Sequence, residues 1–226
     1  MLKKIFFSLI FLCLSSTIFA EELEGKGVPD NAYLTGNNSD TAVILCHGRG
    51  HHPTWDVVDP LRKGIHKELG FHTVSLQMPA PGGNWRGYAE YFPDAYASIA
   101  ATVKILKQKG IKRIYLMGHS MGSRMATGYL ANTENHGIHG FIGVGVRNGG
   151  GDPLDSALNL ESVDIPVVDI YGDGGDGKDI VHAERREESL ASETYKMVFI
   201  PDADHRFDGH ETEMVNAAVN WLKSQK

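Results

Sequence analysis

The stretch "LMGHSMGSRMA", residues 116–126, places one serine between two glycines at the point where an apolar run ends. The run "RIYLM" before it is typical of a buried strand, and "SRMATGYLA" after it is typical of a helix. A serine on such a turn is held in a strained backbone, and small neighbours let strand and helix approach closely. The helix N-terminus also favours developing negative charge. The stretch therefore predicts that Ser120 is a nucleophile rather than part of an ordinary glycine-rich turn.

The alternation of apolar runs and helical stretches continues along the whole chain. Six runs rich in β-branched residues are predicted strands: 41–47, 71–78, 112–118, 140–146, 165–172 and 195–201. Five stretches are predicted helices: 57–69, 94–109, 120–130, 179–190 and 209–223. This order predicts an α/β fold, with a mostly parallel central sheet and helices on both faces. Active sites of such sheets lie beyond the carboxyl ends of the strands, so each candidate residue should follow a strand.

Two further members of a serine-based site are expected later in the chain, the acid before the histidine. His205 follows the last run in "FIPDADHRF", on a loop from which its ring could take the serine proton. The acid holds the imidazole in the correct tautomer and stabilises the imidazolium. The loop "DIYGDGGDGKDIV" offers Asp176 as the first choice for this acid and Asp173 as the second.

Three other aspartates lie near these segments. Asp179 is expected to begin the next helix as its N-cap. Asp152 and Asp155, which follow "GVGVRNGGG", are a less favoured alternative for the acid.

Two backbone N–H groups are expected to stabilise the negative charge that develops during acyl transfer. One belongs to Met121, directly after the serine, and the other to Arg49 in the loop "ILCHGRGHHPTW". Gly48 permits an unusual backbone there. The alternative is that His47 and Gly48 form a simple turn.

The segments "LCHGRG", "GHSMG", "PVVDIYGDGGD" and "PDADHRF" resemble the motifs of α/β-hydrolases, in that family's order and spacing over residues 41–223. The resemblance implies a serine hydrolase, most often a carboxylic-ester hydrolase, that acts through an acyl-enzyme intermediate without a cofactor. The triad and oxyanion-hole residues that it implies are Ser120, Asp176, His205, Arg49 and Met121. The segment "HGRGHHPTWDVVDPLRKG" is similar to a group of exported, esterase-like bacterial members.

The chain departs from the family pattern at two places. The acid loop is one or two residues longer than the usual G-x-x-D form. The two antiparallel strands that usually open the fold are barely visible in residues 21–40, so a shortened sheet is expected.

Other functions use the same fold or the same machinery. Hydrolysis of amides, thioesters or lactones needs the same residues as ester hydrolysis. A non-catalytic binding or accessory protein is the alternative from a different class, because a fold alone does not imply activity. Competent residues at every chemical position favour the hydrolase.

Metal binding is not expected at the acidic and histidine-rich loops. Residues 174–182 match one nonapeptide of a calcium-binding β-roll, but at least about three stacked copies are needed to form a core. Neither histidine cluster has the helical spacing of a zinc protease. The clusters are His51, His52 and Asp56, and Asp204, His205, Asp208 and His210.

The first twenty residues have the layout of a secretory signal peptide. Two lysines precede an apolar run that is too short to span a bilayer, and small residues lead to Ala20. Cleavage after Ala20 would leave one α/β-hydrolase domain, residues 21–226, exported to a bacterial periplasm or secreted. Lipidation of Cys13 is not favoured, because Leu12 is not the small residue that such sites need.

Charge and cysteine content narrow the partners further. The formal net charge of −6 becomes −8 when the two leader lysines are removed, since the leader contains no acid. This acidic balance argues against nucleic acid and anionic membranes as partners. No later stretch approaches about 18 unbroken apolar residues, so no membrane insertion is expected. The resemblance to α/β-hydrolases implies a small ester-like substrate. Cys46 is then the one remaining cysteine, so no internal disulfide forms, and its place in an apolar run predicts a buried thiol.

Two segments bear on the size of the substrate. The loop "PAPGGNWRGYAEYFPDAY" carries aromatic residues that either line the cleft or cover the edge of the core: Trp85, Tyr88, Tyr91 and Phe92. The connection 147–164, where an inserted cap is common, is long enough for a turn and one short helix. The sequence therefore predicts a site without a lid and a preference for short or compact acyl groups.

Overall fold

The computed structural model describes residues 31–37, 39–175, 177–190 and 194–225. The signal peptide proposed for residues 1–20 lies outside the described residues, and so does Asp176. Within the described ranges, no helix is long and apolar enough to cross a bilayer.

Seven strands form one sheet in the order β1-β3-β2-β4-β5-β6-β7. Their bounds are β1 (Ala32–Leu34), β2 (Thr41–Cys46), β3 (His72–Leu76), β4 (Arg113–His119), β5 (Gly140–Val144), β6 (Val167–Gly172) and β7 (Tyr195–Ile200). β1 pairs antiparallel with β3, and every other neighbouring pair is parallel. The predicted α/β fold and its six predicted strands are confirmed. The sequence did not predict β1, because its three residues are too few to show a period.

In the described residues, six α-helices flank the sheet, with a short 3₁₀ helix at Trp85–Tyr91. They are α1 (Val58–Leu69), α2 (Phe92–Gln108), α3 (Met121–Asn132), α4 (Ser156–Glu161), α5 (Lys178–Ser189) and α6 (Glu211–Ser224). α2 and α3 cover one face of the sheet, and α1 and α6 cover the other. The five predicted helices are confirmed to within two residues at each end.

Apolar side chains pack into one cluster on each face of the sheet. The β2 residues alternate between the two clusters: Ala42, Ile44 and Cys46 enter one, and Val43 and Leu45 the other. Every residue of β2 is buried, which explains why this strand is an unbroken apolar run. The thiol of Cys46 is buried as predicted, and burial raises its pKa.

The connection between β5 and β6 carries no inserted cap domain. Its one regular element is the six-residue helix α4. Asp155 caps this helix by accepting a hydrogen bond from the backbone N–H of Ala157 at 3.1 Å. The prediction of a minimal α/β fold without a large cap is therefore confirmed.

Candidate active site

Ser120 lies on a strained turn between β4, near the middle of the sheet, and α3. Its backbone has φ 54° and ψ −115°, a conformation that non-glycine residues rarely adopt. The N–H of Ser120 donates to the carbonyl of Val144 at 3.3 Å, which joins the turn to the end of β5. This is the strand–turn–helix context that the sequence predicted for a nucleophile.

The two glycines beside the serine are required by close packing. A Cβ atom on Gly118 would lie 2.5 Å from the Cα of Ser123. A Cβ on Gly122 would overlap the carbonyl oxygen of Cys46, at the end of β2. Larger residues would therefore push α3 away from the strands that hold the serine.

His205 and Asp179 form a hydrogen-bonded pair at the same edge of the sheet. His205 lies on the loop after β7, and its Nδ1 donates to the Oδ2 of Asp179 at 2.8 Å. Arg147 contacts the other carboxylate oxygen, Oδ1, at 3.1 Å. Burial raises the pKa of Asp179, but the His205 hydrogen bond and the charge of Arg147 outweigh it, and the pKa lies below its ordinary value. Asp179 is therefore ionised at neutral pH and fixes the proton of His205 on Nδ1.

The acid assigned from the sequence needs correction. The pairing with His205 that was predicted for Asp176 is made by Asp179. Asp173, the second choice, accepts the backbone N–H of Asp202 at 2.6 Å and so fastens a turn. Asp155, the outside alternative, caps α4 and contacts Arg185 at 3.3 Å.

Asp179 was also expected to be a helix N-cap, and this prediction is wrong. The N-cap of α5 is Gly177, in a left-handed conformation at φ 64°, and the helix begins at Lys178. Asp179 is therefore the second helical residue. Its side chain is free to reach His205 instead of its own backbone.

Two contacts hold the His205 loop against the centre of the sheet. The Nε2 of His119, next to the serine, donates to the carbonyl of His205 at 2.9 Å. The His205 ring also lies over Gly145, where a Cβ atom would come within 2.9 Å of Nδ1. Gly145 directly follows Val144, the partner of the Ser120 N–H. Ser120, Asp179 and His205 thus follow β4, β6 and β7, and the end of β5 contacts both the serine turn and the His205 ring.

The loop after β2 is fixed by a buried histidine. The Nδ1 of His47 donates to the carbonyl of Gly48 at 2.8 Å, and its Nε2 accepts the N–H of Met78 at 3.0 Å. This geometry requires the neutral ring. Burial, the largest cause, lowers the pKa of His47 to about 4.

A cleft of about 560 Å³ opens beside the serine. Both residues that were predicted for the oxyanion hole, Arg49 and Met121, line this cleft together with Ser120. Trp85 lines the cleft as well, whereas Tyr88 and Phe92 are buried in the core. The aromatic loop therefore both lines the cleft and packs against the core, the two roles that its sequence allowed.

The described residues contain no group of three or more histidine, cysteine, aspartate or glutamate side chains arranged to hold a metal ion. His51 instead stacks on Trp55, with ring centroids 3.2 Å apart. Asp56 contacts Arg206 at 2.6 Å. Asp204 accepts backbone N–H groups of its own loop, from Arg206 at 2.8 Å and Asp208 at 3.2 Å.

Sequence reasoning missed two arginines of the site, Arg124 and Arg147. Arg147 lies three residues after the end of β5, and the rule that functional residues follow strands would have found it. Arg124 stands in "MGSRMATGYLA", a helix of small and apolar residues that is buried on all sides. The sequence could have indicated Arg124 as a functional residue, because it is a single charged residue in such a helix. Buried charges are rare unless they have a functional role or a partner.

Comparison with known proteins agrees with this architecture. Residues 41–220 match the profile of the alpha/beta hydrolase fold. The chain belongs to the α/β-hydrolase family. The predicted family and the prediction that the protein is a hydrolase are thereby confirmed.

Proteins similar to this α/β-hydrolase include enzymes and one structure that is described as having no lid. It is 28% identical over 127 residues to a 2-succinyl-6-hydroxy-2,4-cyclohexadiene-1-carboxylate synthase of Serratia proteamaculans, a match that covers 56% of this chain and 41% of that protein. The Pyrococcus furiosus esterase PF2001 has a similar structure, with TM-score 0.68, 18% identity and coverage of 86% and 90% of the two chains. XC6422 from Xanthomonas campestris, described as a serine hydrolase without lid, gives TM-score 0.64, 18% identity and coverage of 86% and 88%.

Proposed function

We propose that this protein hydrolyses small carboxylic esters through Ser120, His205 and Asp179. The observation that carries the proposal is the Asp179–His205 pair, 2.8 Å between Oδ2 and Nδ1, at the strand ends that also present the strained Ser120. A serine alone is a weak nucleophile, and a histidine oriented by a carboxylate is what activates it.

The first half of the proposed reaction forms an acyl-enzyme. Because Nδ1 of His205 carries the proton that Asp179 accepts, Nε2 of the neutral ring is left to act as a base. Ser120 Oγ attacks the ester carbonyl carbon while its proton passes to Nε2. The backbone N–H groups of Arg49 and Met121 stabilise the oxyanion of the tetrahedral intermediate. When this collapses, the alkoxide leaves with the proton from His205.

The second half returns the enzyme to its starting state. A water molecule gives its proton to Nε2 of His205 and attacks the acyl carbon. The second tetrahedral intermediate expels Ser120 Oγ, which recovers its proton, and a carboxylic acid is released. Asp179 stays ionised throughout and stabilises the imidazolium formed in both halves.

Covalent labelling tests the proposal directly. A fluorophosphonate probe should add one label per chain, at Ser120, because unactivated serines do not react with it at neutral pH. Intact mass followed by peptide mapping measures this. Ser123, which lies one helical turn away and donates its hydroxyl to the Ser120 carbonyl at 2.6 Å, provides the matched control. Labelling should vanish in Ser120→Ala and persist in Ser123→Ala. A folded wild-type protein that stays unlabelled would favour a non-catalytic role.

The open site leads to a second expectation, on acyl-chain length. Without a cap there is little apolar surface to bury a long tail, and each buried CH₂ would otherwise contribute about 0.8 kcal/mol. kcat/KM for p-nitrophenyl esters from acetate to palmitate should therefore stop rising before about eight carbons. No activation should appear when micelles form. A steady rise with length, or a jump at the micelle threshold, would contradict the open site, and Trp85–Tyr91 would then be the segment to test as a lid.

A further inference from the structure

The cleft beside Ser120 is lined by cations although the chain as a whole is acidic, at a formal net charge of −6. The cationic residues that line it are Arg49, Arg86, Arg124, Arg147 and Lys178. Among the described residues that line the cleft, none is an aspartate or glutamate. Arg147 is neutralised by Asp179, which belongs to the triad proposed above. Arg86 and Arg124 are the cleft cations that bear on ligand binding.

Arg124 is a buried cation whose partners are neutral. Its Nη1 donates to the carbonyls of Gly149, at 2.6 Å, and Leu154, and its Nη2 donates to that of Asn148 at 2.8 Å. Burial, the largest cause, lowers its pKa to about 10, so the guanidinium stays charged at neutral pH. A buried charge without a counter-ion is costly. Within the described ranges, no carboxylate lies in ion-pair contact with it, and two of its five N–H groups have no protein acceptor.

Arg86 brings a second guanidinium to the same wall of the cleft. Its Cζ lies 4.4 Å from the centroid of the Trp85 ring, and the Cζ of Arg124 lies 4.6 Å from that centroid. The electron-rich face of an indole attracts cations and holds them in place. Trp85 therefore contacts two guanidinium groups that both line the cleft beside the nucleophile. Among the described residues, no carboxylate forms an ion pair with either of them, although the charge of Asp155 acts on Arg124 and raises its pKa against the effect of burial.

We propose that the substrate is an ester that carries an oxyanion group, such as a carboxylate, and that Arg86 and Arg124 bind this group. The planar guanidinium presents paired N–H donors that match the two oxygens of a carboxylate. The cleft's volume of about 560 Å³ suits a small molecule. The inference rests on the proposed function, because it names the class of ester that the Ser120 site hydrolyses.

Two pairs of esters test the proposal, and each pair compares an anionic ester with its neutral analogue. One pair carries the anion on the acyl side of the scissile bond, and the other carries it on the alcohol side. On the acyl side, mono(p-nitrophenyl) adipate is compared with p-nitrophenyl hexanoate. On the alcohol side, 4-acetoxybenzoate is compared with its methyl ester. Each kcat/KM is divided by the rate of hydroxide-catalysed hydrolysis of the same ester, which removes differences in intrinsic reactivity. In at least one pair, the anionic ester should be preferred by about tenfold or more, and salt should weaken the preference.

Arg86 is the residue to change, because it is exposed and the buried Arg124 makes three carbonyl contacts on which folding depends. Arg86→Gln should lower kcat/KM for the preferred anionic ester by about tenfold and leave its neutral partner unchanged. Arg86→Lys keeps the charge and should restore much of the preference. Lys104→Gln removes the same charge from an exposed position on α2 outside the cleft, and should change neither ester.

Two results overturn the inference in different ways. Equal corrected rates within both pairs, or an equal effect of Arg86→Gln on both members of a pair, would exclude anion binding while leaving the esterase intact. Absence of turnover with all of the esters, together with an unlabelled Ser120, would overturn the hydrolase function and the inference with it.

Discussion

Asp179→Asn is expected to lower kcat by about 10⁴ while the protein still folds. The amide can donate to Nδ1 of His205 as well as accept from it, so the imidazole is no longer held with its proton on Nδ1. In the wrong tautomer, Nε2 carries the proton and cannot accept another from Ser120. The measurement is kcat for a short p-nitrophenyl ester, with circular dichroism and thermal unfolding to show that the fold survives.

The other aspartates of the same loop are the matched controls. Asp173→Asn replaces the charged acceptor of a 2.6 Å turn hydrogen bond with a neutral amide oxygen, and should cost some stability without a comparable loss of kcat. Asp176→Asn should leave kcat within a few-fold of the wild type. A large loss in one control, with near-normal turnover in Asp179→Asn, would move the acid to that residue, either Asp176 as first predicted or Asp173.

Acidification below about pH 6.5 is expected to destabilise the fold steeply, because two buried histidines are neutral in the native state. Burial, the largest cause in both, lowers the pKa of His47 to about 4 and that of His119 to about 3. In the unfolded chain both would titrate near about 6.5. The unfolded state therefore binds more protons below that pH, and stability falls as the pH drops toward about 4.

The expected size of this effect approaches the whole stability of a small domain. Each histidine contributes roughly 1.4 kcal/mol per pH unit, so two of them over two units cost about 5 kcal/mol. Urea unfolding between pH 7.5 and about 4.5 measures it. In His119→Gln the pH dependence should be shallower by the share of one buried histidine, while His52→Gln, at an exposed position, should match the wild type. An unchanged slope in His119→Gln would show that this ring takes up its proton without unfolding.

The sheet and the nucleophile could be predicted because buried segments have a recognisable pattern of apolar and small residues in the sequence. Strands such as β2 are buried on both faces, so their residues must all be apolar or small, and the runs stand out. The glycines around Ser120 are fixed by contacts with Ser123 and Cys46 that any side chain would disrupt. Local packing thus determines these residues one by one.

The acid could not be predicted in the same way, because its identity depends on where a helix begins. With Asp179 at the start of α5, capping was the local expectation. Gly177 takes the cap position, and the carboxylate is released toward His205, 26 positions away in the chain. The partners of Arg124 likewise come from the loop after β5. These contacts depend on how loops that are distant in the sequence pack together, and a short sequence motif does not predict that packing.

Because β7 lies at the edge of the sheet, the loop that carries the histidine should be locally less stable than the turn that carries the serine. β4 is flanked on both sides by parallel strands, whereas β7 pairs with β6 alone and its side chains are half-exposed. Edge elements open at lower free energy than central ones. In the part of the chain that the structure describes, the His205 loop is held by hydrogen bonds from His119 and Gly174, by Asp179, and by the buried side chains of Ala203 and Phe207. Heating is therefore expected to loosen the His205 loop at a lower temperature than the serine turn. If His205 acts as proposed, turnover should fall before the sheet unfolds and return on cooling.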